Sequence, residues 1–246
     1  ADVVAVLLEA GADMHSTLKS GFSPLFFAVR EGQIDVVEVL LAAGADVNST
    51  MQPEAKGGRV PRKGTAALLL AVENGHFELA SDLLQAGADP NDQRSGFTPL
   101  HVITWVRKPN LGDGIDGEPS PQGSGNLTSL QLVRQLVEHG ADVNARLKRG
   151  QSGRGKLNHT GATPFLLAAD TADVPLLTLL LELGADPTLT NADHCPPLLA
   201  AAGIGTRAPG EEAGTEAEAL AAVELLLQGG ADINAVDDNG ETAMHG

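Results

Sequence analysis

The sequence predicts an all-α solenoid of stacked helix–turn–helix units. Three observations predict it. The triplet Gly-Ala-Asp occurs six times, starting at Gly11, Gly44, Gly87, Gly140, Gly184 and Gly230. Each triplet follows a leucine-rich run with apolar residues at helical spacing: VVAVLLEA, VVEVLLAA, LASDLLQA, LVRQLVEH, LLTLLLEL and AVELLLQG. A second short apolar segment, opened by a hydroxyl residue and proline, recurs between the triplets. Such units bury their apolar faces only against neighbouring copies, so the pattern implies stacking.

The leucine-rich run is the second helix of each unit, and the glycine after it fits a left-handed C′ cap. The first helix begins at Gly21-Phe22-Ser23-Pro24-Leu25-Phe26, Gly96-Phe97-Thr98-Pro99-Leu100-His101 and Gly161-Ala162-Thr163-Pro164-Phe165-Leu166, with a fourth copy at Gly240-Glu241-Thr242-Ala243-Met244-His245. Ser or Thr suits the N-cap, and Pro suits the first helical position, where a missing N–H costs nothing. Two copies are degraded. Thr65-Ala66-Ala67-Leu68 lacks the Pro, and His194-Cys195-Pro196-Pro197-Leu198 lacks both the Gly and the hydroxyl. Those two helix starts are expected to be less firmly fixed.

The unit resembles the ankyrin repeat, marked by a Thr-Pro-Leu-His start and a Gly-Ala-Asp-Val-Asn exit. Asp46-Val47-Asn48, Asp89-Pro90-Asn91, Asp142-Val143-Asn144 and Asp232-Ile233-Asn234 reproduce the exit. Gly11 and Gly44 stand one ankyrin period apart, and the later intervals are longer. The resemblance covers nearly the whole chain outside the insertions. It implies β-turn fingers along one edge and a structural hydrogen bond within the turn for His101 and His245.

Aligned this way, the chain is one ankyrin-repeat domain, residues 1–246. Its units are 1–12 (partial), 13–45, 46–88, 89–141, 142–185, 186–231 and 232–246 (partial). Four long insertions are expected. Two lie in fingers, at 50–61 and 147–158, and two lie between the helices of a unit, at 108–126 and 204–216. The last two have the Gly, Pro and Ser content of loops. Both ends fall inside a unit and carry no polar cap, so the expectation is a segment of a longer repeat protein.

Composition narrows the function. Hydrophobic residues make up 42% and charged residues 20%, as in a folded domain, with only 3% aromatics. The net charge of −16 repels phosphate backbones, so no nucleic-acid partner is expected. No apolar run approaches the ~18 residues of a membrane helix, so no membrane insertion is expected. A single cysteine, Cys195, excludes an intrachain disulfide and a multi-cysteine zinc site. The compartment is left open.

Catalytic patterns are missing. Gly150 to Lys156 has phosphate-loop spacing, but Leu157 stands where Ser or Thr would hold magnesium. There is no nucleophile elbow, His-Glu-x-x-His pair or calcium loop. His194 and Cys195 are adjacent without a third partner. Asn48, Asn126 and Asn158 begin glycosylation-like triplets, which carry meaning only in a secretory pathway. The expectation is therefore no catalytic residue, no metal and no cofactor.

What remains is a protein–protein interaction scaffold, expected to be a monomer. Nine of the 16 basic residues sit in or beside the two fingers: Lys56, Arg59, Arg62, Lys63, Arg146, Lys148, Arg149, Arg154 and Lys156. A partner with acidic patches would dock there. The resemblance implies further partner-facing positions beside the turn glycine and at the end of the first helix. These are Lys19, Phe22, Arg30, Glu31, Arg62, Glu73, Asn74, Arg94, Phe97, Trp105, Asp170 and Thr171. The alternative reading is a non-binding structural spacer in a larger multidomain or enzyme-containing protein.

Overall fold

The computed structural model describes residues 1–54, 62–109, 120–148, 157–206 and 213–246. Lys56, Arg59, Arg149, Arg154, Lys156 and the Gly150–Lys156 loop lie outside these residues. Eleven α-helices run through the described residues: α1 (Asp2–Glu9), α2 (Pro24–Arg30), α3 (Ile34–Ala42), α4 (Ala67–Glu73), α5 (Phe77–Gln85), α6 (Pro99–Arg107), α7 (Ser129–Glu138), α8 (Pro164–Asp170), α9 (Val174–Glu182), α10 (Pro197–Ala201) and α11 (Glu216–Gln228). A 3-10 turn follows at Ala243–His245. The fold is all-α, with one isolated antiparallel bridge, Thr50 to Ala66, among the described residues. The helices fall into two units, residues 1–99 with 121–139 and residues 100–120 with 140–246.

First and second helices differ in how they are buried. In α4 every residue from Ala67 to Val72 is buried, and in α8 every residue from Pro164 to Ala169 is. A helix apolar all round sits inside the layer, between neighbours. In α5 the buried set is Leu79, Ala80, Leu83 and Leu84, one stripe of an amphipathic helix. Each fully buried leucine contributes roughly 1.5–3 kcal/mol.

The helix starts follow the capping chemistry. Ser23 Oγ accepts from the Phe26 N–H and Thr163 Oγ1 from the Leu166 N–H, each with Pro as the first helical residue. Pro196, which caps α10, makes no such bond. For α4 the sequence reading needs correction. Its N-cap is Ala66 and not Thr65, so this copy lacks the hydroxyl cap as well as the Pro. Thr65 instead turns its hydroxyl to the Arg62 carbonyl at 2.8 Å. The helices that follow the two expected inter-helix insertions carry full capping boxes, Thr128 with Gln131 and Thr215 with Glu218. After a long loop, the entry angle of the chain has to be set locally.

The Gly-Ala-Asp-x-Asn exit has a physical reading. At Gly87 (φ +90), the N–H bonds to Leu84 O and the following Ala88 N–H to Leu83 O, which satisfies the last carbonyls of α5. The Asp then closes an Asx turn: Asp46 Oδ1 accepts from the Asn48 N–H at 2.9 Å. The Asn stitches one exit to the next. Asn48 Nδ2 donates to Gly87 O at 3.0 Å and its Oδ1 accepts from the Asp89 N–H at 2.8 Å. In the second unit Asn144 makes the same pair with Gly184 and Asp186.

Two backbone hydrogen bonds clamp the base of each finger. In the first unit, Met51 N–H bonds to Thr65 O and Gly64 N–H to Met51 O, both at 2.9 Å. In the second, Leu147 pairs likewise with Ala162 and Gly161. The short turn from Leu18 to Phe22 uses the same two bonds. What fills the clamp depends on the turn. Buried Asn191 closes its tight turn with Oδ1, accepting from the Cys195 and Asp193 N–H groups. Where a finger carries an insertion, apolar Met51 and Leu147 plug the same position.

Candidate protein-binding surface

In the first unit the end of α2 presents an arginine on aromatic rings. Phe22 and Phe27 lie with ring centroids 4.9 Å apart. The Arg30 guanidinium sits 5.0 Å from each centroid. Its Nε donates to Glu31 Oε1 at 2.8 Å. Phe22 is buried beneath this group, whereas Phe27 is 37% exposed. The Arg30 and Glu31 side chains are 42% and 57% exposed. Cation–π contacts of this kind contribute about 0.5–1 kcal/mol at the surface. Here they hold the guanidinium in a fixed pose.

A second group repeats the chemistry. Arg62 lies 4.7 Å above the Phe97 ring and pairs with Glu73. Burial pulls the Arg62 pKa down, yet a guanidinium stays cationic. Phe22 and Phe97 occupy the same motif position, directly after the turn glycine. Lys19 and Lys63 are exposed, with no ion pair among the described residues. Asn74 turns its amide back to Leu70 O at 2.8 Å, finishing α4. Arg94 is engaged in its own turn: its Nε contacts Asp92 at 3.0 Å and its Nη2 donates to Asn48 O at 2.6 Å. The Asp92 hydrogen bond is the main reason its pKa is raised.

In the second unit Trp105 is half-buried and packs against a cluster containing Leu157, Leu166, Leu199 and Ile204. Asp170 Oδ2 lies 3.1 Å from His159 Nε2, which ties the residue just after the expected finger insertion to the end of α8. The Thr171 hydroxyl donates to Leu167 O at 3.2 Å. Arg149 and Arg154 lie outside the described residues. Of their basic neighbours, Lys148 is exposed, whereas Arg146 donates to Gly161 O at 2.8 Å and to Thr190 O. The structure therefore brings Phe22, Arg30 and Glu31 together, and separately Arg62, Glu73 and Phe97.

Two residues were missed by sequence reasoning. Phe27 follows Phe26 in the same helix, and only the helix orientation tells which ring is buried. His159 stood unremarked within a glycosylation-like triplet. Cys195 is buried, and burial pushes its thiol up to about 12, far from thiolate chemistry at neutral pH. Among the described residues no group of three or more His, Cys, Asp or Glu side chains is arranged to hold a metal ion. No described helix is long and apolar enough to cross a membrane.

Comparison with known proteins agrees with the repeat fold. Residues 1–51 match a family described as ankyrin repeats (3 copies), and residues 68–102 one described as ankyrin repeats (many copies). The chain is 32% identical to the human (Homo sapiens) ankyrin repeat and SOCS box protein 6, over 46% of this chain and 23% of that protein. It is 28% identical to the E3 ubiquitin-protein ligase KEG of Arabidopsis thaliana, over 60% of this chain and 9% of that protein. The match thus spans less than a quarter of either relative. Among solved structures, the ankyrin repeat domain of Bcl-3 superposes with a TM-score of 0.65 at 21% identity, covering 99% of this chain and 85% of that one. At that identity the likeness concerns the fold.

Proposed function

The chain is an ankyrin-repeat protein, and from that premise we propose that it recognises a protein partner through its first-helix ends and basic fingers. One observation carries the reading. Arg30 is held over two adjoining phenylalanine rings, with Phe27 and Glu31 open to solvent beside it. Ordered arginine and aromatic side chains are the usual centres of interface energy, because little freedom is lost when they are covered. Exposed Lys19 and Lys63 flank this chemistry in sequence and suit acidic groups on the partner. Lys56, Arg59, Arg149, Arg154 and Lys156 extend the same charge into the finger insertions. Catalysis has no part in the proposal.

The test starts from partners captured with the 246-residue chain. Affinity for each is then compared between the native protein, the F27A/R30A variant, and a variant with the nine finger charges replaced by Ser or Gln. F27A/R30A is expected to weaken binding about tenfold or more. The finger variant is expected to flatten the salt dependence. Unchanged affinity in both variants would sink the proposal.

A further inference from the structure

A cavity of about 280 Å³ opens between α3 and α5 in the first unit, away from the arginine–phenylalanine group. Each helix contributes one stripe at the i, i+3, i+7 or i, i+4, i+7 spacing: Ile34, Val37 and Leu41 from α3, and Leu79, Leu83 and Ala86 from α5. Each stripe is interrupted by a carboxylate, Glu38 on α3 and Asp82 on α5, and both line the cavity. Val37, Leu79 and Leu83 are buried against the core, so the apolar surface open in the groove belongs to Ile34, Leu41 and Ala86, with Glu38 exposed and Asp82 half-buried beside it.

The electrostatics at this groove are one-sided. Asp82 is held above the usual carboxylate range by burial first, then by repulsion from Glu38 and Glu78. Among the described residues neither Glu38 nor Asp82 has an ion-pair or hydrogen-bond partner. Glu78 accepts a backbone bond from the Asn126 N–H at 2.8 Å and has no cationic partner among the described residues. An apolar floor with an unneutralised acidic rim complements an apolar surface that carries cations. It opposes phosphate, and it opposes a second copy of a chain with a net charge of −16.

We propose that this groove receives a basic amphipathic helix of a protein partner, its leucine-like side chains on Ile34, Leu41 and Ala86 and its lysine or arginine heads at Glu38 and Asp82. The site is independent of the first-helix ends and fingers, and it stands or falls separately from them.

The experiment titrates the whole chain, methyl-labelled at Ile, Leu and Val, with a synthetic helical peptide bearing one leucine and one lysine face. Methyl shifts are expected to concentrate at Ile34, Val37, Leu41 and Leu83. Replacing the rim with E38Q/D82N should weaken binding roughly five- to tenfold, the effect of two surface charge contacts. The D2N/E9Q variant removes the same charge from α1 and should leave affinity unchanged. The proposal is overturned if the shifts map elsewhere, if both variants weaken binding equally, or if a peptide with glutamate in place of lysine binds as well. Asp2, Glu9 and Glu38 are exposed and Asp82 is half-buried, and thermal unfolding of each variant confirms that it is folded.

Discussion

The ring of His101 is fully buried, and its Nε2 lies 3.0 Å from the Ala145 carbonyl and 3.3 Å from that of Ala162. Carbonyls only accept, so Nε2 carries the proton. Burial pulls the pKa of this histidine down to about 4, so the folded state keeps the ring neutral. An unfolded histidine titrates near ~6.5. Below that pH the unfolded chain binds a proton that the fold refuses. Stability is therefore complete above about pH 6.5 and falls by up to about 1.4 kcal/mol per pH unit toward pH 4. Urea melts across that range check this, and an H101Q variant should show a shallower fall. In the first copy of the motif Phe26 stands where His101 stands in the third, and a cavity of about 280 Å³ lined by Phe26, Ser49 and Thr50 lies beside it. The structural role of His101 was legible from its motif position, but its partners were not: they lie at the next finger base and not within its own turn. The exposure of Phe27 was not, because two adjacent phenylalanines look alike until a helix turns one of them outward.

At the scale of the element, each helix start is a small chemical decision. Ser23 and Thr163 make it with a hydroxyl, and Ala66 stands in their place before α4 with extended backbone angles, φ −85° and ψ 164°. The geometry for a cap is already present without the capping atom. Ala66→Ser is therefore expected to stabilise the protein by about 0.5–1 kcal/mol. The measurement is the urea midpoint at constant slope. The leucine-rich second helices were plain in the sequence because their apolar spacing is strong and their glycine caps recur. The register of α4 was not, because Thr65 resembles a cap and sits one residue early. Only the hydroxyl's turn toward Arg62 reveals that it serves the finger instead.

For the whole molecule, charge is the dominant long-range term. At −16, the folded body repels itself more than an expanded chain does. Added salt screens that repulsion, with a Debye length of about 10 Å at 0.1 M. The melting temperature is therefore expected to rise between low salt and 0.2 M sodium chloride, and a flat or falling profile would contradict this account. The repeat order was readable because six triplets keep step. The ion pair of Arg107 with buried Asp173 was not, since the two residues are far apart in sequence and only the fold joins them, with Nε 2.7 Å from Oδ2. The clamps at the finger bases carry a wider consequence. Each one shuts the chain into a ring, so that beyond the contacts of Arg62 and Leu157 with the scaffold the number of residues enclosed need not shift the helices. A protein engineer therefore has room to graft a foreign peptide into either ring, with the scaffold beneath expected to stay constant.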